Sequence, residues 1–254
     1  MERIDIKAER WAELVDRAAG SSGIPARPAD GPYGPLLAAG DLVIGQVGQS
    51  LDGRVATSAG DATDVSGRDG LIHLHRLRAL VDAVLVGAST AMLDDPRLTV
   101  RFCAGPAPAR VLIDPRGRVP NDRRLFAEDG ARRLVIQATD TARPSGVEVI
   151  RLPHGAEGIA PAAIVAALRE RGLPRLLVEG GAATLGHFHR AAMLDRLHIA
   201  VAPLIIGAGP PGLSLVPVDR LRDCPRPRVD RYDLGTDTLF DCDFRSPPPR
   251  AAAG

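Results

Sequence analysis

An arginine on the apolar face of a helix is the first residue in this chain that calls for chemistry. In RDGLIHLHRLRALV (68–81), Leu71, Leu74, Leu77 and Val81 share one sector at about 100° per residue, and Arg78 projects between the directions of Leu71 and Leu74. A guanidinium there needs an anion, because an unpaired buried charge costs several kcal/mol. A bound phosphate or carboxylate would serve, and so would an internal aspartate; the pattern weighs the two equally. The segment VGASTAMLDDPRLTVR (86–101) is dense in donors and acceptors. Ser89 or Thr90 suits the cap of a short helix whose N-terminus favours phosphate, and Pro96 ends that helix. Asp94, Asp95, Arg97 and Arg101 follow, either as ion pairs on a capped loop or as ligands for an anion. In LLVEGGAATLGHF (176–188) a strand ends in Glu179 and Gly180-Gly181 opens a helix. Paired glycines let a diphosphate reach the helix amides, although a plain tight turn uses the same pair. GQSLDGRVATSAGD (48–61) places Ser50, Asp52 and Arg54 near a strand end, with a turn on Asp52-Gly53 as the simple alternative.

Other chemistries are excluded by what is missing. The chain has no phosphate-binding G-x-x-x-x-G-K-[ST] loop, no G-x-G-x-x-G, no G-x-S-x-G elbow and no H-E-x-x-H. The H-x-E…P-C-x-x-C zinc signature of nucleobase deaminases is also missing. His73 and His75 point to different faces of their helix, and Cys103, Cys224 and Cys242 are far apart, so neither a metal site nor a disulfide framework is expected. Lys+Arg is 32 against Asp+Glu 31, a net charge of +1 with 3% aromatic residues, which does not suit a nucleic-acid partner. Lys7 is the only lysine, a bias in keeping with the abundant Ala, Gly and Pro of GC-rich coding. No apolar run is long enough to span a bilayer, and MERIDIKAERWAELV has no apolar signal core, so a cytoplasmic, membrane-free protein is expected.

These residues must be held by an alternating framework. LVIGQV (42–47), VDAVLVG (81–87), RVLID (110–114), RRLVIQA (132–138), VEVIRL (147–152) and PRLLVEG (174–180) read as buried strands. Helical stretches at 68–81, 160–172 and 182–193 lie between several of them, so an α/β fold with a mostly parallel sheet is expected. The runs 196–206, 228–235 and 237–244 end the chain with no helix between the last two, which predicts an antiparallel C-terminal edge. Ligands of such sheets bind beyond the carboxyl ends of the strands. Residues 1–40 read as an extension, with an amphipathic helix at 4–19 and a Pro/Gly-rich linker or surface wrap. The main domain covers 41–245, and 246–254 read as a disordered tail.

Taken in order, SLDGRVA (50–56), HRLRALVDAVLVGASTAMLDDPRLTVR (75–101), RVLIDPRGRVP (110–120), LLVEGGAATLGHF (176–188) and LDRLHIAVAPLIIGAG (194–209) resemble the reductase domain of bacterial riboflavin-biosynthesis enzymes. The resemblance implies a dihydrofolate-reductase-like three-layer sandwich and NADPH-dependent reduction of a ribosylaminopyrimidine 5′-phosphate to its ribitylamino form. It places Arg78, Leu98, Arg101 and Glu179 at the substrate. It places Gly48, Thr90, Asp94, Gly180, Gly181, Ala182, Ala183, Thr184, Leu185, Gly186 and His187 at the cofactor. Asp94 or Glu179 is then the catalytic group that protonates the imine nitrogen, and Arg116 or Arg118 is a candidate for the cofactor 2′-phosphate. The family is usually dimeric, with the 198–206 strand available for a homodimer interface. Ala62 and Asp64 stand where members usually carry Ser and Trp, with Thr63 or Ser66 as stand-ins for the Ser. The zinc deaminase domain fused to many members has no counterpart here. The two changes define an alternative: a reductase of the same fold acting on a pterin or another imine-bearing heterocycle. An inactive nucleotide-binding homologue is the third reading.

Overall fold

Along each strand the side chains alternate between two large cores, one on each face of a sheet that has ten strands among the described residues. The computed structural model describes residues 2–20, 25–63 and 65–245; the expected tail at 246–254 and Asp64 lie outside the described residues. The strands are β1 (Glu2–Arg3), β2 (Leu42–Ser50), β3 (Ala83–Gly87), β4 (Ala109–Ile113), β5 (Arg133–Gln137), β6 (Val147–Arg151), a small β7–β8 hairpin (His154–Gly155 and Gly158–Ile159), β9 (Arg175–Glu179), β10 (Arg196–Ala202), β11 (Arg228–Leu234) and β12 (Asp237–Asp243). The large sheet runs β1-β11-β12-β10-β2-β9-β3-β4-β5-β6. From β10 to β6 every pairing is parallel; β12 is antiparallel to both β10 and β11. The expected parallel sheet with an antiparallel C-terminal edge is therefore what forms.

Among the described residues the six α-helices are α1 (Ala8–Ala18), α2 (Gly34–Ala38), α3 (Arg68–Leu80), α4 (Ala88–Leu93), α5 (Pro161–Arg169) and α6 (Ala182–Arg190). On one face, Leu77 and Leu80 of α3 pack over Ile44, Val84, Leu112 and Leu177. On the other, Ile164 and Leu168 of α5 and Leu185 and Phe188 of α6 pack over Val43, Leu85, Val111 and Val178. That is the three-layer arrangement. The residues read as an N-terminal extension contribute to the first core: Trp11, Leu14, Tyr33 and Leu36 are all buried in it. Their helix starts at Ala8 rather than at residue 4, because Glu2–Arg3 is drawn into parallel pairing with β11. The strand expected over 196–206 stops at Ala202, since Pro203 has no N–H for the ladder.

Candidate active site

The carboxyl ends of β2, β9 and β3 open into a cleft of about 680 Å³. Its floor carries Gln46 and Gly48 of β2 and Glu179 of β9; the segment 86–98 forms one wall and Pro210–Gly212 part of another. The site lies beyond the carboxyl ends of parallel strands, as an open α/β sheet requires.

Arg78 finds its anion in Glu179. Its Nε and one terminal nitrogen fork onto both carboxylate oxygens at 2.6–3.2 Å, and its other terminal nitrogen donates to the carbonyl of Thr99 at 2.9 Å. Both partners are buried, and both line the cleft. The internal partner is thus a glutamate at the site, where the sequence pattern allowed an aspartate or a ligand.

Behind this pair a second pocket of about 370 Å³ is lined by Arg78, Arg97, Arg101 and Arg124 together with Pro96 and Leu98. Arg78, Pro96 and Leu98 belong to both spaces, so the arginine pocket adjoins the cleft. Burial first, and then the charges of Arg78, Arg97 and Arg124, push the Arg101 guanidinium below its ordinary pKa. Four guanidinium groups around one small pocket make a site for a multiply charged anion. The loop carrying Arg97 and Arg101 takes left-handed φ at two positions, 40° at Asp95, a type that tolerates it, and 54° at Leu98, where the bulky side chain makes the turn strained. Arg124 imposes part of this. Its backbone N–H and Nε donate to Asp95 at 2.7 and 3.1 Å, and a terminal nitrogen reaches the carbonyl of Asp94 at 3.3 Å.

At the other end of the cleft, Gly180 and Gly181 turn with φ of 72° and 67°, and Gly181 caps α6 with no side chain bonded to its first amides. A Cβ on Gly181 would lie 2.9 Å from the Thr90 hydroxyl, and one on Gly87 would lie 2.5 Å from the Thr184 hydroxyl. Two threonine hydroxyls and a free helix N-terminus around a bare turn fit a dinucleotide diphosphate. Of the residues expected at the cofactor, Gly48, Thr90, Asp94, Gly180, Gly181 and Ala182 line the cleft. Ala183 is exposed and Thr184 stands beside Gly87, whereas Leu185 and Gly186 are buried and His187 Nε2 pairs with the carbonyl of Ile159 at 3.1 Å. The helix period accounts for that split, since only the first turn can face the cleft.

Asp94 sits on the rim, and burial pushes its carboxyl above the usual range. Ser66 and Ala62 both line the cleft; Thr63 does not. Ser50, Asp52 and Arg54 have a structural role. The Ser50 hydroxyl and the amides of Ile206 and Gly207 hold the Asp52 carboxyl at about 2, while Arg54 donates to the carbonyl of Gly209, next to the Pro210–Gly212 wall.

A family model described as the RibD C-terminal domain matches residues 41–226. The chain belongs to the RibD C-terminal domain family. The 2,5-diamino-6-ribosylamino-4(3H)-pyrimidinone 5′-phosphate reductase of Methanothermobacter thermautotrophicus is 31% identical over 211 residues, a match covering 78% of this chain and 96% of that protein. The riboflavin biosynthesis protein RibD of Aquifex aeolicus is 34% identical over 167 residues, covering 63% of this chain and 46% of RibD. The chain therefore spans nearly the whole archaeal reductase and about half of the RibD protein. A crystal structure of the deaminase/reductase of Thermotoga maritima superposes with a TM-score of 0.70 at 27% identity, over 80% of this chain and 56% of that one. The fold is the dihydrofolate-reductase-like one of RibD reductase domains.

Two residues of this RibD-type cleft, Arg124 and Gln46, are not among those expected at the site. Arg124 enters the arginine pocket from a single 3-10 turn at Arg124–Phe126, and nothing local marks it. Gln46 is 6% exposed on the cleft floor and forms no side-chain hydrogen bond to the described residues. Its signal was legible: one carboxamide inside the apolar run LVIGQV. Among the described residues no group of His, Cys, Asp and Glu is arranged to hold a metal, and no helix is long and apolar enough to cross a membrane.

Proposed function

We propose that this chain reduces a ribosylaminopyrimidine 5′-phosphate to the ribitylamino form with NADPH. The observation that carries this reading is the adjacency of the four-arginine pocket to a cleft whose far end is a diphosphate-type glycine turn. The ribose phosphate fits the pocket of Arg78, Arg97, Arg101 and Arg124, and the cofactor diphosphate fits Gly180-Gly181 with Thr90 and Thr184. When bound, the nicotinamide supplies a hydride to C1′ of the ring-opened imine. The imine nitrogen must gain one proton as C1′ gains the hydride, so that C=N becomes CH–NH. Asp94 is the better donor of the two carboxyl groups. Glu179 has both oxygens engaged by Arg78, whereas the Asp94 side chain has no hydrogen-bond partner among the described residues.

The residues that bind and react lie within 41–245, and the protein works as a cytoplasmic homodimer on a small-molecule substrate without nucleic acid. Arg116 and Arg118, both exposed beyond β4, are the candidates for the 2′-phosphate. Changing both to Ala should shift preference from NADPH toward NADH, and an unchanged preference would remove them from the site. The reaction itself is tested by following NADPH oxidation with 5-amino-6-(5-phosphoribosylamino)uracil and with its undeaminated 2,5-diamino counterpart, the two pyrimidines in the names of similar proteins. Turnover of either supports the reading and shows on which side of deamination the enzyme works. Turnover of neither, with NADPH bound, contradicts it. The cleft-lining Ala62 would then favour another imine-bearing heterocycle.

A further inference from the structure

The described residues before the matched family span of 41–226 touch two of the three elements that carry the pocket arginines, α3 and the loop that bears Arg97 and Arg101. Trp11 of α1, 4% exposed, donates its indole N–H to the carbonyl of Ala104 at 2.7 Å. Ala104 lies three residues beyond Arg101 in the same loop. The next residue, Gly105, is pressed between Val15 of α1 and Ala79 of α3, where an added Cβ would meet them at 3.6 and 2.7 Å. Tyr33, 0% exposed, places its hydroxyl 2.9 Å from Nδ1 of His73 on α3. From there a buried relay crosses to the sheet: His73 Nε2 is 3.1 Å from His198 Nδ1, and His198 Nε2 is 3.1 Å from Asp241, which Arg196 holds in a fork. Arg76 of α3 stacks on the same two aromatic residues, 5.2 Å from the Trp11 ring and 5.7 Å from the Tyr33 ring. The helix and the loop are themselves tied, because His75 Nδ1 accepts the backbone N–H of Arg101 at 2.8 Å.

We propose that the N-terminal segment is a strap that positions the phosphate-binding arginines, Trp11 acting on the Arg101 loop and Tyr33 on the α3 helix that carries Arg78. This rests on the reading of the arginine pocket as the substrate-phosphate site. Trp11 and Tyr33 are positioning residues; the pocket contains neither. The geometry is specific, since each contributes one polar atom to an otherwise apolar contact, and each lands within five residues of an arginine it serves. Burial obliges both polar atoms to find partners, and here both partners lie on elements that carry a pocket arginine.

The test uses Trp11→Phe and Tyr33→Phe, which keep the rings and remove one donor each. In the full chain each variant should raise KM for the phosphorylated substrate about fivefold, the size of one hydrogen bond. The kcat, the KM for NADPH and the KM for the dephosphorylated substrate should stay unchanged. Amide exchange on the free protein gives a readout independent of any substrate: exchange should quicken over residues 99–105 in Trp11→Phe and over α3 in Tyr33→Phe, with α5 and α6 unaffected. If the wild type reduces neither pyrimidine, the substrate reading fails and the exchange data still decide the strap. Unchanged exchange at both segments in both variants would overturn it, and so would an equal loss for phosphorylated substrate, dephosphorylated substrate and cofactor. Should Trp11→Phe fail to fold, the same comparison on Tyr33→Phe decides.

Discussion

Arg78 and Glu179, 101 positions apart in the chain, lock together through a fork of contacts at 2.6–3.2 Å where the cleft meets the arginine pocket. Because the pair is buried, removing one partner strands the other's charge. Glu179→Ala should lower stability by about 3–5 kcal/mol, read as a reduced denaturant midpoint at unchanged m-value. The double variant Arg78→Met with Glu179→Leu should recover most of that stability while remaining inactive. A double variant no more stable than Glu179→Ala would show that the pair is not an isolated ionic unit.

Asp94 as proton donor has a pH signature. Burial raises its carboxyl pKa, so the protonated form persists above the ordinary aspartate range and is lost as pH rises through the shifted value. The kcat should fall along that limb. Asp94→Asn should cost about 100-fold or more in kcat and abolish the limb. Full turnover by the variant would exclude Asp94.

Arg97 offers the cleanest test of the anion pocket. It is exposed, lines the pocket and forms no ion pair with the described residues. Arg97→Ala should raise KM for the phosphorylated substrate roughly tenfold or more, the scale of a charge-assisted hydrogen bond, without lowering the melting temperature. A dephosphorylated substrate should not respond to the change, and an equal response from it would place the phosphate elsewhere.

Acid stability follows from the buried relay. Burial first, then the neighbouring His198, and also Arg76, push His73 well below its ordinary pKa, opposed by Asp241. The unfolded chain therefore takes up the proton first, and stability falls as pH drops below about 6.5. Burial would raise the Asp241 carboxyl, yet His198 and Arg196 hold it at about 2. Its contribution is present above its unfolded value of about 3.9 and is lost as pH falls toward 2. Denaturant midpoints should decline between pH 7 and 5 and again below pH 4; His73→Leu should reduce the first decline without abolishing it, because burial also lowers His75, to about 4, and His189. A wild-type profile that is level from pH 7 to 5 would contradict the relay.

The parts legible in the sequence are those set by local pattern. Continuous apolar strands place β2, β3, β4, β5 and β9, and the Gly180-Gly181 turn and the 86–101 loop are found where short-range residue types put them. The rest depends on partners remote in the chain. Arg78 on an apolar face showed the need for an anion, but identifying it as Glu179 required the β2–β9–β3 pairing. Trp11 and Tyr33 read as parts of an extension because their partners, Ala104 and His73, lie 93 and 40 residues away. Arg124 reaches the pocket from a turn with no motif, clamped to Asp95 at a separation of 29 residues.

The fate of one transferred hydrogen reports the reaction directly. The enzyme is run with NADPH deuterated at its transferable position and the phosphorylated pyrimidine substrate, and the product is analysed by mass spectrometry and NMR. Hydride transfer to the imine should leave one deuterium, at C1′ of a new ribityl chain. Deuterium on a ring carbon, or a product without the label, would contradict it.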